Sequence, residues 1–356
     1  MSHDIAYWTC GELTHAYASR SVSPVEVVSA VLERVHRLET HLNAFQLVDD
    51  QAAMADAESS ERRWRRGRSR GPLDGIPVSV KDLVMTRGWP TLSGSRITNP
   101  AGPWPEDAPA VACLRAAGCV LFGKTTTPEF GWKGMTDSPL KGITRNPWDL
   151  GRTPGGSSGG AGAALAAGLG PLALGTDGGG SIRIPASHCG VYGLKPTFGR
   201  IPSYPTTSPY SSVASAGPMA RRTEDLALGL QVMARPDHRD WYALPASRTR
   251  YAAAVERGVR GMKIALSIDL GEASVQPDIE RTVREAASAL EEAGARVEEV
   301  GPVIDPLRPA FEAKWLLGFA YRLRAIPRRR WAELDPGFRV LAERGLTYGL
   351  GEHLAS

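Results

Sequence analysis

A chain of 356 residues, 42% hydrophobic and 22% charged, is long enough for one large or two ordinary domains around a well-buried core. Its formal charge of +4 is small for that length and its acids are spread throughout, so charge gives no reason to invoke a nucleic-acid or membrane partner. Cys10, Cys113, Cys119 and Cys189 have neither metal-ligand nor disulfide-framework spacing, there is no signal pattern, and no run approaches the roughly 18 apolar residues that span a bilayer; the sequence predicts a soluble, cytoplasmic protein.

Ser23-Pro24-Val25-Glu26 reads as a capping box with proline at the first helical position, and Val27, Val28, Val31, Leu32, Val35 and Leu38 follow on one helical face. A second helix is expected from Gln51 to Trp64, running into Arg62, Arg63, Arg65, Arg66, Arg68 and Arg70, which read as a solvated helix end and linker. The β-branched run from Gly75 to Asp82 predicts a strand that delivers Lys81 to its C-terminal end, where sites gather in α/β sheets. Ala108 to Ala117 should be helical and Cys119 to Gly123 a buried strand, whereas turn formers from Thr125 to Pro154 predict mostly loop.

After Gly160 an Ala/Leu-rich helix reaches Gly168, and Pro171 to Thr176 reads as a strand. A Ser/Pro/Tyr-rich loop runs to Gly217 and has the composition of a pocket rim. Helices are expected from Thr223 to about Met233 and from Pro277 to Ala293, strands over Met262 to Ile268 and Arg296 to Val300, a connector over Arg235 to Thr249, and helical patches over Lys314 to Leu323 and Phe338 to Arg344. The alternation is that of an α/β fold.

Two glycine clusters carry the chemistry: Gly155-Gly156-Ser157-Ser158-Gly159-Gly160, and Gly175-Thr176-Asp177-Gly178-Gly179-Gly180-Ser181. A serine is a poor nucleophile at its own pKa and needs a partner that takes its proton. Lys81 is the candidate base, provided burial depresses its pKa from about 10.4. With Ser157 or Ser158 linking it to Ser181, a Ser–Ser–Lys relay can replace Ser–His–Asp. Gly178, Gly179 and Gly180 would leave bare amides for the oxyanion formed when Ser181 attacks a carbonyl. Gly155-x-Ser157-x-Gly159 also fits a nucleophile elbow, but Gly151-Arg152-Thr153-Pro154 is a poor strand before it, and His188, the nearest downstream histidine, sits in an expected packed turn. A phosphate loop fails for want of Gly-Lys-Ser/Thr.

The two clusters, continued by Ile182-Arg183-Ile184-Pro185, resemble the signature of the amidase signature family. Pro72 to Asp82, Arg145-Asn146-Pro147-Trp148 and Gly193-Leu194-Lys195-Pro196-Thr197 are similar to its companion segments, and the likeness runs from about Ser21 onward, densest over residues 72–235. The resemblance implies one amidase domain over 1–356, with a large mixed central β-sheet covered on both faces by helices. It implies Ser181 as nucleophile, Ser157 as bridging serine after a cis Gly156–Ser157 peptide, and Lys81 as base. Gly178, Gly179, Gly180 and Ser181 would form the oxyanion hole, with Ser158 supporting. Asp177 and Arg183, which flank the nucleophile, read as a structural ion pair or as hydrogen-bonding support, not as catalytic groups.

The implied activity is hydrolysis of a small-molecule carboxamide through an acyl-Ser181 intermediate, with no cofactor; a homo-oligomer is compatible with it. The main alternative is the glutamine-hydrolysing component of a transfer-RNA-dependent amidotransferase. That component usually carries Thr and Gln where Gly178 and Ile184 stand, and an Asp-Gln pair where this chain reads Ala214-Ser215-Ala216, differences that favour a free-standing hydrolase. Met135, Tyr204, Tyr210 and Trp315 are candidate acyl-pocket residues. Family members are usually longer, and a chain ending at Ser356 is expected to lack their usual C-terminal portion; this raises a third reading, an inactive or partner-dependent paralogue that acts as a binding protein.

Overall fold

The computed structural model describes residues 4–205, 213–271, 273–302 and 307–356. From the amino end the chain forms α1 (Cys10–Ser19), α2 (Pro24–Leu42), β1 (Phe45–Val48), α3 (Asp50–Arg65), β2 (Pro77–Lys81), α4 (Pro109–Ala116) and β3 (Val120–Thr125). A ribbon of β4 (Asp137–Ser138) and β5 (Gly142–Ile143) precedes α5 (Gly159–Ala166), β6 (Leu172–Asp177), α6 (Arg183–Cys189) and β7 (Tyr192–Gly193). Then come β8 (Ser215–Ala220), α7 (Thr223–Met233), α8 (Tyr251–Ala254), β9 (Lys263–Leu266), α9 (Pro277–Glu292) and β10 (Arg296–Glu299). Helices α10 (Arg308–Arg324), α11 (Pro336–Gly345) and α12 (Leu350–Ala355) follow.

The main sheet has six strands in the order β1-β3-β2-β6-β8-β7. β2 runs parallel to β3 and β6, while β1, β8 and β7 pair antiparallel with their neighbours, so the sheet is mixed and its parallel centre is the most enclosed part. Side chains alternate across it. Val78 and Val80 of β2, Leu121 of β3 and Leu172 of β6 pack with Leu13, Tyr17, Leu114 and Met233 from α1, α4 and α7. Val120 and Phe122 of β3 pack on the other face with Val28, Val31, Val35, Ala53 and Ala164 from α2, α3 and α5. Helices therefore cover both faces, as expected.

Local signals account for several elements. The Ser23–Glu26 capping box is formed in both directions at the start of α2, and Thr9–Glu12 makes a second one at α1, a helix that sequence reasoning passed over although the signal was present. β8 was missed for a different reason. Ser215-Ala216-Gly217-Pro218-Met219-Ala220 has no β-branched residue, yet it pairs with β6 along its whole length, from Asp177↔Ser215 to Leu172↔Ala220. His188 is also corrected: it lies in α6 and is exposed, because α6 runs through the expected turn as far as Cys189.

α5 packs backbone against backbone. A Cβ on Gly160 would stand 2.4 Å from Thr126 Oγ1 and 2.5 Å from both Ala44 O and Thr126 N, so only glycine allows the helix this approach. At the other end of the chain Phe319 and Phe338 of α10 and α11 meet edge to face at 5.3 Å, and Phe130 joins them, which docks this helical pair beside the sheet. β9 and β10 form a separate two-stranded parallel sheet. No helix among the described residues is long and apolar enough to cross a membrane.

Candidate active site

Lys81 closes β2 between two parallel neighbours and is fully buried. Its Nζ donates to Ser157 Oγ at 2.7 Å, to Thr176 Oγ1 at 3.0 Å and to Thr176 O at 3.4 Å. Burial lowers its pKa to about 7, against the pull of the nearby Asp177 carboxylate. A lysine in this setting exchanges its proton near neutrality, and in the neutral form its lone pair can accept from the Ser157 hydroxyl. Ser157 follows a cis Gly156–Ser157 peptide immediately before α5.

Main-chain and side-chain bonds stitch the two glycine clusters together. Ser158 N donates to Ser181 O at 3.0 Å, and Ser158 Oγ donates to Thr176 O at 3.2 Å. Ser181, nearly buried, lines the same cavity as Ser157, although no hydrogen bond joins the two hydroxyls among the described residues. The structure thus brings Lys81 into contact with Ser157 and sets Ser181 across a shared cavity from them.

Asp177 faces the other way. Its oxygens accept from Gly180 N at 2.7 Å, Ile182 N at 3.1 Å and Arg183 Nε and Nη2 at 2.9 Å each. Burial works to raise its pKa, but Arg183 and the Gly180 and Ile182 amides outweigh that and hold the carboxyl at about 2. The pair ties together the turn that carries Ser181. The Gly180 amide is committed to Asp177, whereas no hydrogen bond from the amides of Gly178, Gly179 and Ser181 is formed among the described residues.

Aromatic edges lie directly on this loop. A Cβ on Gly178 would stand 3.0 Å from Trp315 Cη2, and one on Gly179 2.7 Å from Phe311 Cζ. Phe311 and Trp315 stack at 4.9 Å on α10, and Trp315 Nε1 donates to Trp132 O at 3.3 Å. Of the candidate pocket residues, Tyr204 and Trp315 line the cavity. Met135 does not; its backbone packs on Gly156 and its side chain is half exposed. Tyr210 lies outside the described residues.

Sequence reasoning missed a second buried lysine. Lys124 of β3, in register with Val80, is fully buried, with Nζ 3.9 Å from Asp82 Oδ1. It donates to Val84 O at 2.7 Å and to Thr91 Oγ1 at 2.8 Å. Asp82 accepts from Leu92 N at 3.1 Å and Gly94 N at 3.3 Å, and Ser93 N donates to its main-chain oxygen at 3.0 Å. Burial pushes both side chains toward neutrality, lysine down and carboxyl up, against their mutual attraction. Together they fold the segment 83–94 over the end of β2, which turns Leu83, Val84, Met85 and Ser93 into the cavity. The visible signal was a lysine closing a buried apolar strand, the same signal that picked out Lys81.

The amidase family model matches residues 26–324. The chain is 41% identical over 291 residues to a glutamyl-tRNA(Gln) amidotransferase component of Chloroflexus aggregans, covering 82% of this chain and 59% of that protein. It is 40% identical over 324 residues to an acylamidase of Rhodococcus erythropolis, covering 90% of this chain and 67% of that one. A bacterial aryl acylamidase of the amidase signature enzymes superposes with a TM-score of 0.90 at 29% identity, over 98% of this chain and 74% of the other. The chain spans about three fifths of the length of the amidotransferase components it matches. With the match running through both glycine clusters and Lys81, and with the fold shared, the chain belongs to the amidase family.

Proposed function

We propose that this protein hydrolyses a small-molecule carboxamide through an acyl-Ser181 intermediate. One observation carries the reading above the rest: a fully buried lysine with a pKa near 7, hydrogen-bonded at 2.7 Å to Ser157 beside the cavity that Ser181 lines. In the neutral form Lys81 takes the Ser157 proton while Ser157 takes that of Ser181, and Ser181 Oγ attacks the carbonyl carbon. The amides of Gly178, Gly179 and Ser181 meet the oxyanion, each such donor being worth about 10²–10³ in rate. The proton returns through Ser157 to the departing nitrogen, which leaves as ammonia or an amine. Water then enters by the same relay and releases the carboxylate.

A fluorophosphonate probe followed by peptide mass spectrometry tests the assignment. Labelling is expected on Ser181. Labelling on Ser157 would instead favour the elbow, and folded protein that takes no label would overturn the hydrolase reading and favour a binding role.

The base also dictates a pH dependence. Only neutral Lys81 accepts a proton, so kcat/KM for a non-ionising amide should rise about tenfold per pH unit below about 7 and level off above it. A rate that falls as the pH rises through 7 would show that the active form of Lys81 is the ammonium.

A further inference from the structure

The cavity wall bears on which amide is taken. Its larger uncharged side chains are Leu83, Val84, Met85, Phe130, Tyr204 and Trp315, its polar ones are hydroxyls such as Ser93, Thr176 and Ser203, and Arg322 is the one charged side chain among its described lining residues. Four acids stand next to described lining residues in sequence, and each is engaged elsewhere. Asp107 accepts from Arg87 N at 2.7 Å and pairs with Arg115 at 3.1 Å. Asp177 is held by Arg183 and two main-chain amides. Asp82 is turned to Lys124 and the amides of Leu92 and Gly94. Glu129 accepts from Ser95 Oγ and, at 2.6 Å, from Asp335 N.

Arg322 lies with its guanidinium 4.6 Å from the centre of the Phe130 ring, so the described lining carries a cation and no carboxylate. An ammonium group a few bonds from the scissile carbonyl would lose water here without gaining a counter-charge from any described lining residue. The cavity measures about 170 Å³. A dry apolar cavity of about 150 Å³ holds one benzene ring.

We infer that the substrate is an amide whose acyl group is uncharged and apolar, of the size of a single aromatic ring, and that amides carrying an ammonium near the carbonyl, free glutamine among them, are excluded. The inference rests on the amide-hydrolase reading for its chemistry, but the binding preference is a property of the wall alone.

Two measurements keep the two claims apart. Calorimetric titration of the Ser181→Ala protein compares phenylacetamide with L-glutamine without turnover, and ammonia release by the wild-type protein compares the same two compounds. Phenylacetamide is expected to bind at least about tenfold more tightly and to be cleaved with a correspondingly higher kcat/KM. Equal or tighter binding of glutamine, preferential cleavage of glutamine, or failure of phenylacetamide to bind would overturn the inference. If phenylacetamide binds selectively and the wild-type protein cleaves neither compound, the preference stands and the hydrolase reading falls.

Discussion

Replacement of Lys81 by methionine should lower kcat/KM for amide hydrolysis by a factor on the order of 10⁴ or more, and Ser181→Ala should do the same. The size of the effect follows from the way the groups act as one unit. Lys81 is the one side chain hydrogen-bonded to the Ser157 hydroxyl among the described residues, and its own other partner, Thr176, offers only a hydroxyl and a carbonyl, neither of which accepts a proton near neutrality. Lys81→Arg should not restore activity, since a guanidinium does not deprotonate in a protein. The double variant Lys81→Met/Ser181→Ala is expected to be no slower than either single one, as losses within a relay do not add. Circular dichroism on each variant checks that the fold survives. Turnover by Ser181→Ala within tenfold of wild type would remove Ser181 as the nucleophile.

Lys124→Met is expected to cost stability, by about 3–5 kcal/mol at pH 8 in urea unfolding, because it strands Asp82 as a buried carboxylate. The sign of its pH dependence follows from burial. Asp82 already has a pKa above that of an exposed aspartate, and loss of the lysine raises it further. A group whose folded pKa is raised is tolerated best below its unfolded value and costs progressively more as the pH climbs through the folded one. The loss should therefore shrink at pH 5, where the carboxyl takes up a proton. A deficit of equal size at both pH values would mean that packing around Lys124, and not the stranded charge, is what the substitution removes. Since Lys124 also holds Val84 and Thr91, KM should rise more than kcat falls.

Much of the candidate site was legible because its signals are local. Glycine clusters mark close backbone approach, and Gly160 and Gly178 show what they approach: the main chain just before β1 and just after β3 in one case, the Trp315 ring in the other. A lysine ending a β-branched run marks a buried strand terminus, which is where Lys81 lies. The illegible parts depend on pairing between distant segments. β8 is a strand only because β6 lies alongside it. The Asp82–Lys124 pair exists only because β2 and β3 are parallel neighbours in one register. That Asp177 occupies the Gly180 amide follows from how the carboxylate is turned, which residue order does not convey.

The close seating of α5 on Thr126 and Ala44 separates what this protein can change from what it must keep. The reacting groups are anchored by main chain touching main chain, where a single added methyl has no room. The cavity walls come from elsewhere, from 83–85, 202–205, Trp315 and Arg322, whose side chains face the cavity without bearing on that seam. Randomising those wall positions in a directed-evolution library should thus yield altered acyl preferences at full expression, whereas the same library at Gly159 and Gly160 should yield insoluble protein. The boundary between a malleable rim and a rigid centre is drawn by the absence of two side chains.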